Sequence, residues 1–264
     1  MQRVRSHDGT QIAFEVTGSG PPLILVGGAF CDHTAPVAGT PIAALLAARF
    51  TVVSVDRRGR GESGNTAPYA IDREVDDIAA LIGELGGAAS VYGHSSGAVL
   101  ALEAAIRGLP IDRVALYEPP LVMGSARPRP PADFAAQLAA LAASGRRGDA
   151  AELFLIAGVG VPPPIVERMR ASPMWPGLER LADTLAHDAT LTADPESLIA
   201  RARDVAVPAL VVDGGASPPW MRSGVQALAD ALPHGRYQTL DGQTHDVAIA
   251  VLAPVLDAFF APRG

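Results

Sequence analysis

Gly93-His94-Ser95-Ser96-Gly97 sets a serine between two glycines, each two residues away. The apolar run Ala88 to Tyr92 before it reads as a buried strand. A helical pattern follows from Ser96 to Arg107 and meets its stop signals at Gly108 and Pro110. A strand that turns directly into a helix holds its middle residue in a strained conformation and pushes that side chain out of the turn. The residues two positions away must then be small. Ser95 would stand at a helix N-terminus, where free N–H groups and the helix dipole favour a developing negative charge. Those are the surroundings of a nucleophilic hydroxyl. The alternative is a glycine-rich strand–helix turn with an inert serine.

A serine hydroxyl is a poor nucleophile until a base takes its proton, and imidazole is suited to that near neutral pH. His245 lies in Asp241-Gly242-Gln243-Thr244-His245-Asp246, between the last expected strand and the last expected helix, at the sheet edge where ligands bind. His94 reads as a structural part of the turn, and His7, His33, His187 and His234 as surface or internally satisfied histidines. A third group, a carboxylate, would orient the imidazole. Two stand near strand ends: Glu118, directly after Val114 to Tyr117, and Asp213, the final residue of the run from Val207. The other reading of Glu118 is an ion pair anchoring the segment that follows.

The elements needed to position these groups are legible. Asp8-Gly9 is a turn signal between short strands at Val4 to Arg5 and Gln11 to Thr17. Leu23 to Val26 and Thr51 to Val55 are continuous apolar runs of the kind a parallel sheet buries on both faces. Helical patterns at Pro41 to Arg49 and Ile71 to Gly83 alternate with them. The order implies an α/β fold with a doubly wound, mostly parallel sheet. From Pro119 to about Val205 only helical patterns occur: Ala132 to Ala143, Gly148 to Ala157, Pro163 to Met169, Gly177 to His187 and Pro195 to Arg203. The expected organisation is a core of residues 1–118 and 206–264 with an inserted helical cap over 119–205. The sheet resumes at Val207 to Asp213, then come a helix (Met221 to Leu232), a strand (Arg236 to Leu240) and a last helix (Ala248 to Phe260).

Composition narrows the function classes. The 264 residues are 48% hydrophobic and 19% charged, which suits one large globular α/β domain. A net charge of −7 argues against nucleic acid and anionic membrane surfaces as partners. Every basic residue other than histidine is Arg. The lone Cys31 allows no internal disulfide, and no cysteine or histidine spacing suggests a metal site. The first residues lack the apolar core of a signal peptide, and the expected location is the cytoplasm.

With these motifs in place, the chain resembles the α/β-hydrolase fold superfamily over nearly its whole length, and most of all its small capped bacterial serine hydrolases, the esterases and lactonases. The resemblance rests on the Asp8-Gly9 hairpin, the Gly27-Gly28 loop, Asp56-Arg57-Arg58-Gly59-Arg60-Gly61-Glu62-Ser63, Gly93-His94-Ser95-Ser96-Gly97 and Gly242-Gln243-Thr244-His245. It implies the order nucleophile, acid, histidine, with Ser95 and His245 at the ends. It also implies an oxyanion hole formed by the backbone N–H groups of Ala29 and Ser96. Many relatives carry His where Gly27 stands. The Asp56–Ser63 motif then reads as a structural turn rather than an anion site, and Cys31 as a buried, inert thiol. In the family the acid usually follows the strand ending at Val212, three residues after a glycine. Here that position is Ser217, which cannot stabilise an imidazolium. Glu118 occupies the place where some relatives, certain haloalkane dehalogenases among them, carry the acid.

The expectation is therefore a cofactor-free serine hydrolase cleaving a carboxylic ester or lactone through an acyl-enzyme. Ser95, His245 and Glu118 form its triad, and Asp213 is the alternative acid. Phe30, Met123, Met174 and Trp175 are expected to line a pocket for an apolar acyl or lactone substrate, with Met174 and Trp175 bracketed by Pro173 and Pro176 in a non-helical segment. The rival readings are non-hydrolytic or carbon–carbon bond chemistry at the same site, and a non-catalytic small-molecule binding protein.

Overall fold

The computed structural model describes residues 1–125 and 127–261. Eight strands form one sheet: β1 (Gln2–Arg5), β2 (Gln11–Thr17), β3 (Pro22–Val26), β4 (Thr51–Val55), β5 (Ala89–His94), β6 (Ile111–Tyr117), β7 (Ala209–Gly214) and β8 (Gly235–Leu240). Their spatial order is β1-β2-β4-β3-β5-β6-β7-β8. β1 pairs with β2, and β2 with β4, in antiparallel fashion; every other pairing is parallel. Leu23 to Val26, all of β5 and all of β7 are buried, as expected of strands covered on both faces.

The helices divide between those faces. On one side α2 (Ile71–Glu84), α3 (Ser96–Ile106) and α10 (Pro219–Ala231) cover the apolar cluster containing Ile24, Val91, Val114 and Val211. α2 turns Val75, Ile78, Leu81 and Ile82 inward at helical spacing, while α3 is buried from Ser96 to Ala105 and is mostly apolar all round, with Glu103 paired to Arg107 and Arg201. On the other side α1 (Thr40–Leu46) and α11 (Ile249–Phe260) pack on Leu23, Tyr92, Tyr117 and Val212.

Between β6 and β7 the described chain is helical and irregular: α4 (Phe134–Ala143), α5 (Arg147–Leu153), a π-helical turn (Phe154–Val159), α6 (Pro163–Arg170), α7 (Trp175–Arg180), a short 3-10 turn (Ala182–Thr184), α8 (Leu185–Leu191) and α9 (Pro195–Ala202). Sequence spacing predicts one helix over Gly148 to Ala157. The structure divides it into α5 and the π-helical turn, closed by Gly160 at φ 89. Two apolar clusters form within this segment. One joins Phe134, Leu138, Phe154 and Leu185; the other joins Ala151, Leu155, Val166 and Trp175. α9 differs, because its Leu198 and Ala202 belong to the sheet-side cluster with Val114 and Val225.

The residues expected to line a pocket lie in different surroundings. Met174 is 55% exposed, whereas Trp175 is 4% exposed inside the second cluster. The indole N–H of Trp175 donates to Glu179 Oε1 at 3.0 Å. Trp175 opens α7 instead of lying in a non-helical stretch, because Pro176 falls in the first turn of a helix, where its missing N–H costs nothing. Met123 packs against the sheet-side cluster, and Phe30 is the member of the expected set that touches both clusters of the inserted segment.

Two buried histidines tie stability to pH. Burial lowers His94 from 6.5 to about 3, with His245 beside it, and lowers His187 to about 4 against the attraction of Glu74 and Asp188. Each Nδ1 is buried without a hydrogen-bond partner. Below an unfolded value of 6.5 the unfolded chain takes up protons that the folded chain refuses, so stability falls as pH drops toward the folded values.

Two predictions follow from this packing. Trp175→Ala should destabilise the protein by about 3–5 kcal/mol, read as a lower melting temperature. The melting temperature should also fall between pH 6.5 and 5, where the carboxylates remain ionised, and His187→Phe should make that fall shallower.

Candidate active site

β5 ends at His94 and α3 begins at Ser96, so Ser95 alone makes the turn. Its φ of 58 and ψ of −127 lie where non-glycine residues are rarely found. The neighbours leave no alternative. The Ser95 N–H donates to Tyr117 O at 2.9 Å, fastening the turn to β6. A Cβ on Gly97 would stand 2.3 Å from Val26 O and 2.6 Å from Gly27 O, so α3 can approach β3 this closely only through glycine.

The Gly27-Gly28-Ala29 loop passes directly over Ser95. A Cβ on Gly28 would lie 2.7 Å from Ser95 Cβ and 3.2 Å from Ser95 Oγ. Phe30, next along, is held at φ 58 and meets Phe154 edge-on with ring centroids 5.7 Å apart. The amide of Ser96 opens α3 and so has no carbonyl partner within its own helix.

Glu118 follows β6, and its carboxylate is fully buried. One oxygen, Oε2, lies 2.8 Å from His245 Nδ1; the other, Oε1, accepts the Gly214 N–H at 2.8 Å. A carboxylate accepts, so Nδ1 carries the hydrogen and Nε2 is left free to take a proton. Glu118 has φ 43, which makes Phe30, Ser95 and Glu118 the three non-glycine residues with positive φ among the described residues. All three belong to the expected site, and such strain persists only where surroundings enforce it.

The loop bearing His245 is held at two carbonyls. Tyr117 Oη–H donates to Thr244 O at 2.7 Å, and His94 Nε2–H donates to His245 O at 3.1 Å. No hydrogen bond joins Ser95 Oγ to His245 among the described residues. Such contacts are often loose until substrate arrives.

Asp213, the alternative acid, is occupied elsewhere. Its Oδ2 accepts from Tyr237 Oη at 2.7 Å and from Arg222 Nε at 3.1 Å. Ser217 is buried with no partner for its hydroxyl. The reading of Glu118 as an ion pair to the inserted segment has no counterpart in its contacts, which run to β7 and to the His245 loop.

A group that the sequence does not flag adjoins the site. Asp188 of α8 is fully buried and accepts hydrogen bonds from Ser96 Oγ at 2.7 Å, Arg57 Nη1 at 2.8 Å and Arg60 Nη2 at 2.6 Å. Burial pushes its carboxyl up, but Arg60 and Arg57 more than offset this and hold it at about 2. Arg57 also makes a paired contact with Glu74, and Arg58 with Asp77. The arginines of the Asp56–Ser63 turn are thus neutralised by carboxylates of α2 and α8. No local pattern in the Ala- and Leu-rich stretch around Asp188 could have marked that residue; its role follows from the fold.

Among the described residues no helix is long and apolar enough to cross a membrane, and no group of three or more His, Cys, Asp or Glu is placed to hold a metal ion. Comparison with known proteins places the chain in a wider context. A crystal structure of an α/β hydrolase from Sphaerobacter thermophilus is 52% identical, with a TM-score of 0.91 over 98% of this chain and all of that one. An enol-lactonase from Burkholderia xenovorans (24% identical, TM-score 0.68, 98% and 96% covered) and the esterase RhEst1 from Rhodococcus (20%, 0.68, 100% and 99%) share the fold. The uncharacterized hydrolase YraK of Bacillus subtilis is 37% identical over 105 residues, which cover 38% of this chain and 37% of YraK. The probable oxidoreductase EphD of Mycobacterium tuberculosis matches at 37% over 121 residues, 43% of this chain but 20% of its own length. The chain therefore spans well under half of these curated relatives. The model of the alpha/beta hydrolase family matches residues 23–258, nearly the whole chain, and the protein belongs to that family.

Proposed function

We propose that this hydrolase cleaves a carboxylic ester or lactone through an acyl-enzyme formed on Ser95. The observation that carries the reading is the buried Glu118 carboxylate 2.8 Å from His245 Nδ1, on a histidine whose loop adjoins the Ser95 turn. A carboxylate fully enclosed and shared between an imidazole and one backbone N–H is arranged to stabilise a transient imidazolium.

In this mechanism the substrate carbonyl enters beside the Gly28 loop. Ser95 Oγ attacks the carbonyl carbon as its proton passes to His245 Nε2, and Glu118 holds the imidazolium through Nδ1–H. The Ala29 and Ser96 N–H groups receive the negative oxygen. Collapse expels the alkoxide, which takes the proton from His245 and leaves the acyl group on Ser95. Water then attacks the acyl carbon, gives its proton to His245, and the carboxylic acid departs as Ser95 is reprotonated. In a lactone the alkoxide and the acyl group remain one molecule, released by the same water. The strained turn supports the nucleophile assignment, since a serine with no chemical duty gains nothing from φ 58.

Ser95→Ala should remove p-nitrophenyl ester hydrolysis by about 10⁶-fold while leaving the melting curve intact. Labelling of the wild-type serine by a fluorophosphonate, located by mass spectrometry, would distinguish an acyl-enzyme from a binding protein. A Ser95→Ala protein retaining a tenth of wild-type turnover would end the reading.

Glu118→Gln should lower kcat by about 10⁴-fold, the loss seen when a triad carboxylate becomes an amide. Asp213→Asn should lower it far less, because Asp213 serves Tyr237 and Arg222. Comparable losses from both substitutions would show that the carboxylates act through overall charge.

A further inference from the structure

The buried arginines of the Asp56–Ser63 turn end on the carbonyls of the loop over Ser95. Arg60 Nη1 donates to Gly28 O, and Arg57 Nη1 donates to Gly27 O at 3.3 Å. The Gly28 carbonyl and the Ala29 N–H belong to one peptide group. A charged donor on that oxygen draws electron density from the amide and makes its N–H a stronger donor, while fixing the plane in which the N–H lies.

Arg60 is itself held from the inserted segment. Its Nη2 donates to Asp188 Oδ2, and its Nε donates to Thr184 Oγ1 at 3.0 Å. Asp188 also accepts from Ser96 Oγ, the side chain of the residue that supplies the second proposed oxyanion donor. One carboxylate on α8 is thus two hydrogen bonds from the Gly28–Ala29 peptide and one from Ser96.

We propose that Arg60 and Asp188 are positioning residues for the oxyanion site. Arg60 orients and polarises the Gly28–Ala29 peptide, and Asp188 holds Arg60 and Ser96 in register, so the site is complete only while α8 is docked. This rests on the serine-hydrolase reading above.

The cost of the arrangement supports such a role. Arg57, Arg60, Glu74 and Asp188 are all buried and bring two charges of each sign out of water. Buried ion pairs commonly give no more stability than well-packed apolar side chains of similar volume. What they supply here is geometry: donors with rigid directions, aimed at peptide oxygens next to the reacting serine. Gly28 has no side chain that could fix its peptide from within, and no other residue fits there against Ser95.

The test compares Arg60→Lys, Arg60→Met and Asp188→Asn with wild type, using p-nitrophenyl acetate turnover and inhibition by an aryl trifluoromethyl ketone, whose adduct with Ser95 carries an oxyanion. Arg60→Met and Asp188→Asn should lower kcat by about 10- to 100-fold, below the roughly 100- to 1,000-fold lost with a direct oxyanion donor. KM should hardly change, and ketone affinity should weaken by the same factor as kcat. Arg60→Lys, which retains a charged donor, should recover part of both. Should Arg60→Met fail to fold, Ser96→Ala supplies the second test, since it keeps the backbone N–H and removes only the tie to Asp188. It should show a smaller but matched fall in kcat and ketone affinity. Variants with lowered melting temperature but unchanged kcat and ketone affinity would make the network purely structural and overturn the proposal. A wild-type protein that neither turns over the ester nor labels at Ser95 would overturn the serine-hydrolase reading and this inference with it.

Discussion

A serine held at φ 58 and ψ −127 stays there only because surrounding atoms forbid relaxation. Two strands and a loop supply those atoms. β6 takes the Ser95 N–H, β3 brings its last carbonyls against Gly97, and the loop leaving β3 lies on Ser95 Cβ through Gly28. A slip of one residue in either pairing of β5 would reverse its inward and outward side chains and move the turn away from its neighbours. The apolar runs of the central strands therefore do more than bury surface; they hold a register on which one backbone conformation depends. Phe30, in the loop after β3, and Glu118, directly after β6, share the same kind of strain, so the stress lies along one edge of the sheet.

Charge is managed differently at that edge and behind it. Glu118, directly after β6, is enclosed yet fully partnered, with one oxygen for each of two donors. Behind the Gly28 loop, arginines and carboxylates from the β4–α2 region and from α8 neutralise one another away from solvent. Arg57 is held well above its ordinary range by Glu74 and Asp188 in spite of burial, and Glu74 is correspondingly low.

Much of this is legible in the sequence alone. Strand–turn–helix around Ser95 follows from local pattern, and an alternating fold brings the ends of its strands to one edge, which singles out His245 and Glu118 as groups able to meet there. Their separation of 2.8 Å is a property of the fold that no spacing rule supplies. Trp175 was less legible, because two flanking prolines suggest a loop when the second can equally start a helix. The inserted segment also hid its division of labour. α9 reads like the other helices, but packs with the sheet. Asp188 was invisible, since a single carboxylate in a helix acquires partners only from chain far away in sequence, here Arg57, Arg60 and Ser96.

The pairing of β6 with β7 spans the longest interruption between neighbouring strands in the sheet, from Tyr117 to Ala209. Closing a flexible loop grows only logarithmically harder with its length, so doubling such an excursion adds about 0.6 kcal/mol. The sheet is thus nearly indifferent to how much chain is stored between these two strands. Residues there can be lengthened, shortened or rearranged with little effect on the strand register that sustains Ser95, provided that a carboxylate still arrives where Asp188 does and an apolar helix still covers the sheet where α9 does. The junction is a natural place for descendants of this fold to diversify, under one electrostatic and one apolar obligation.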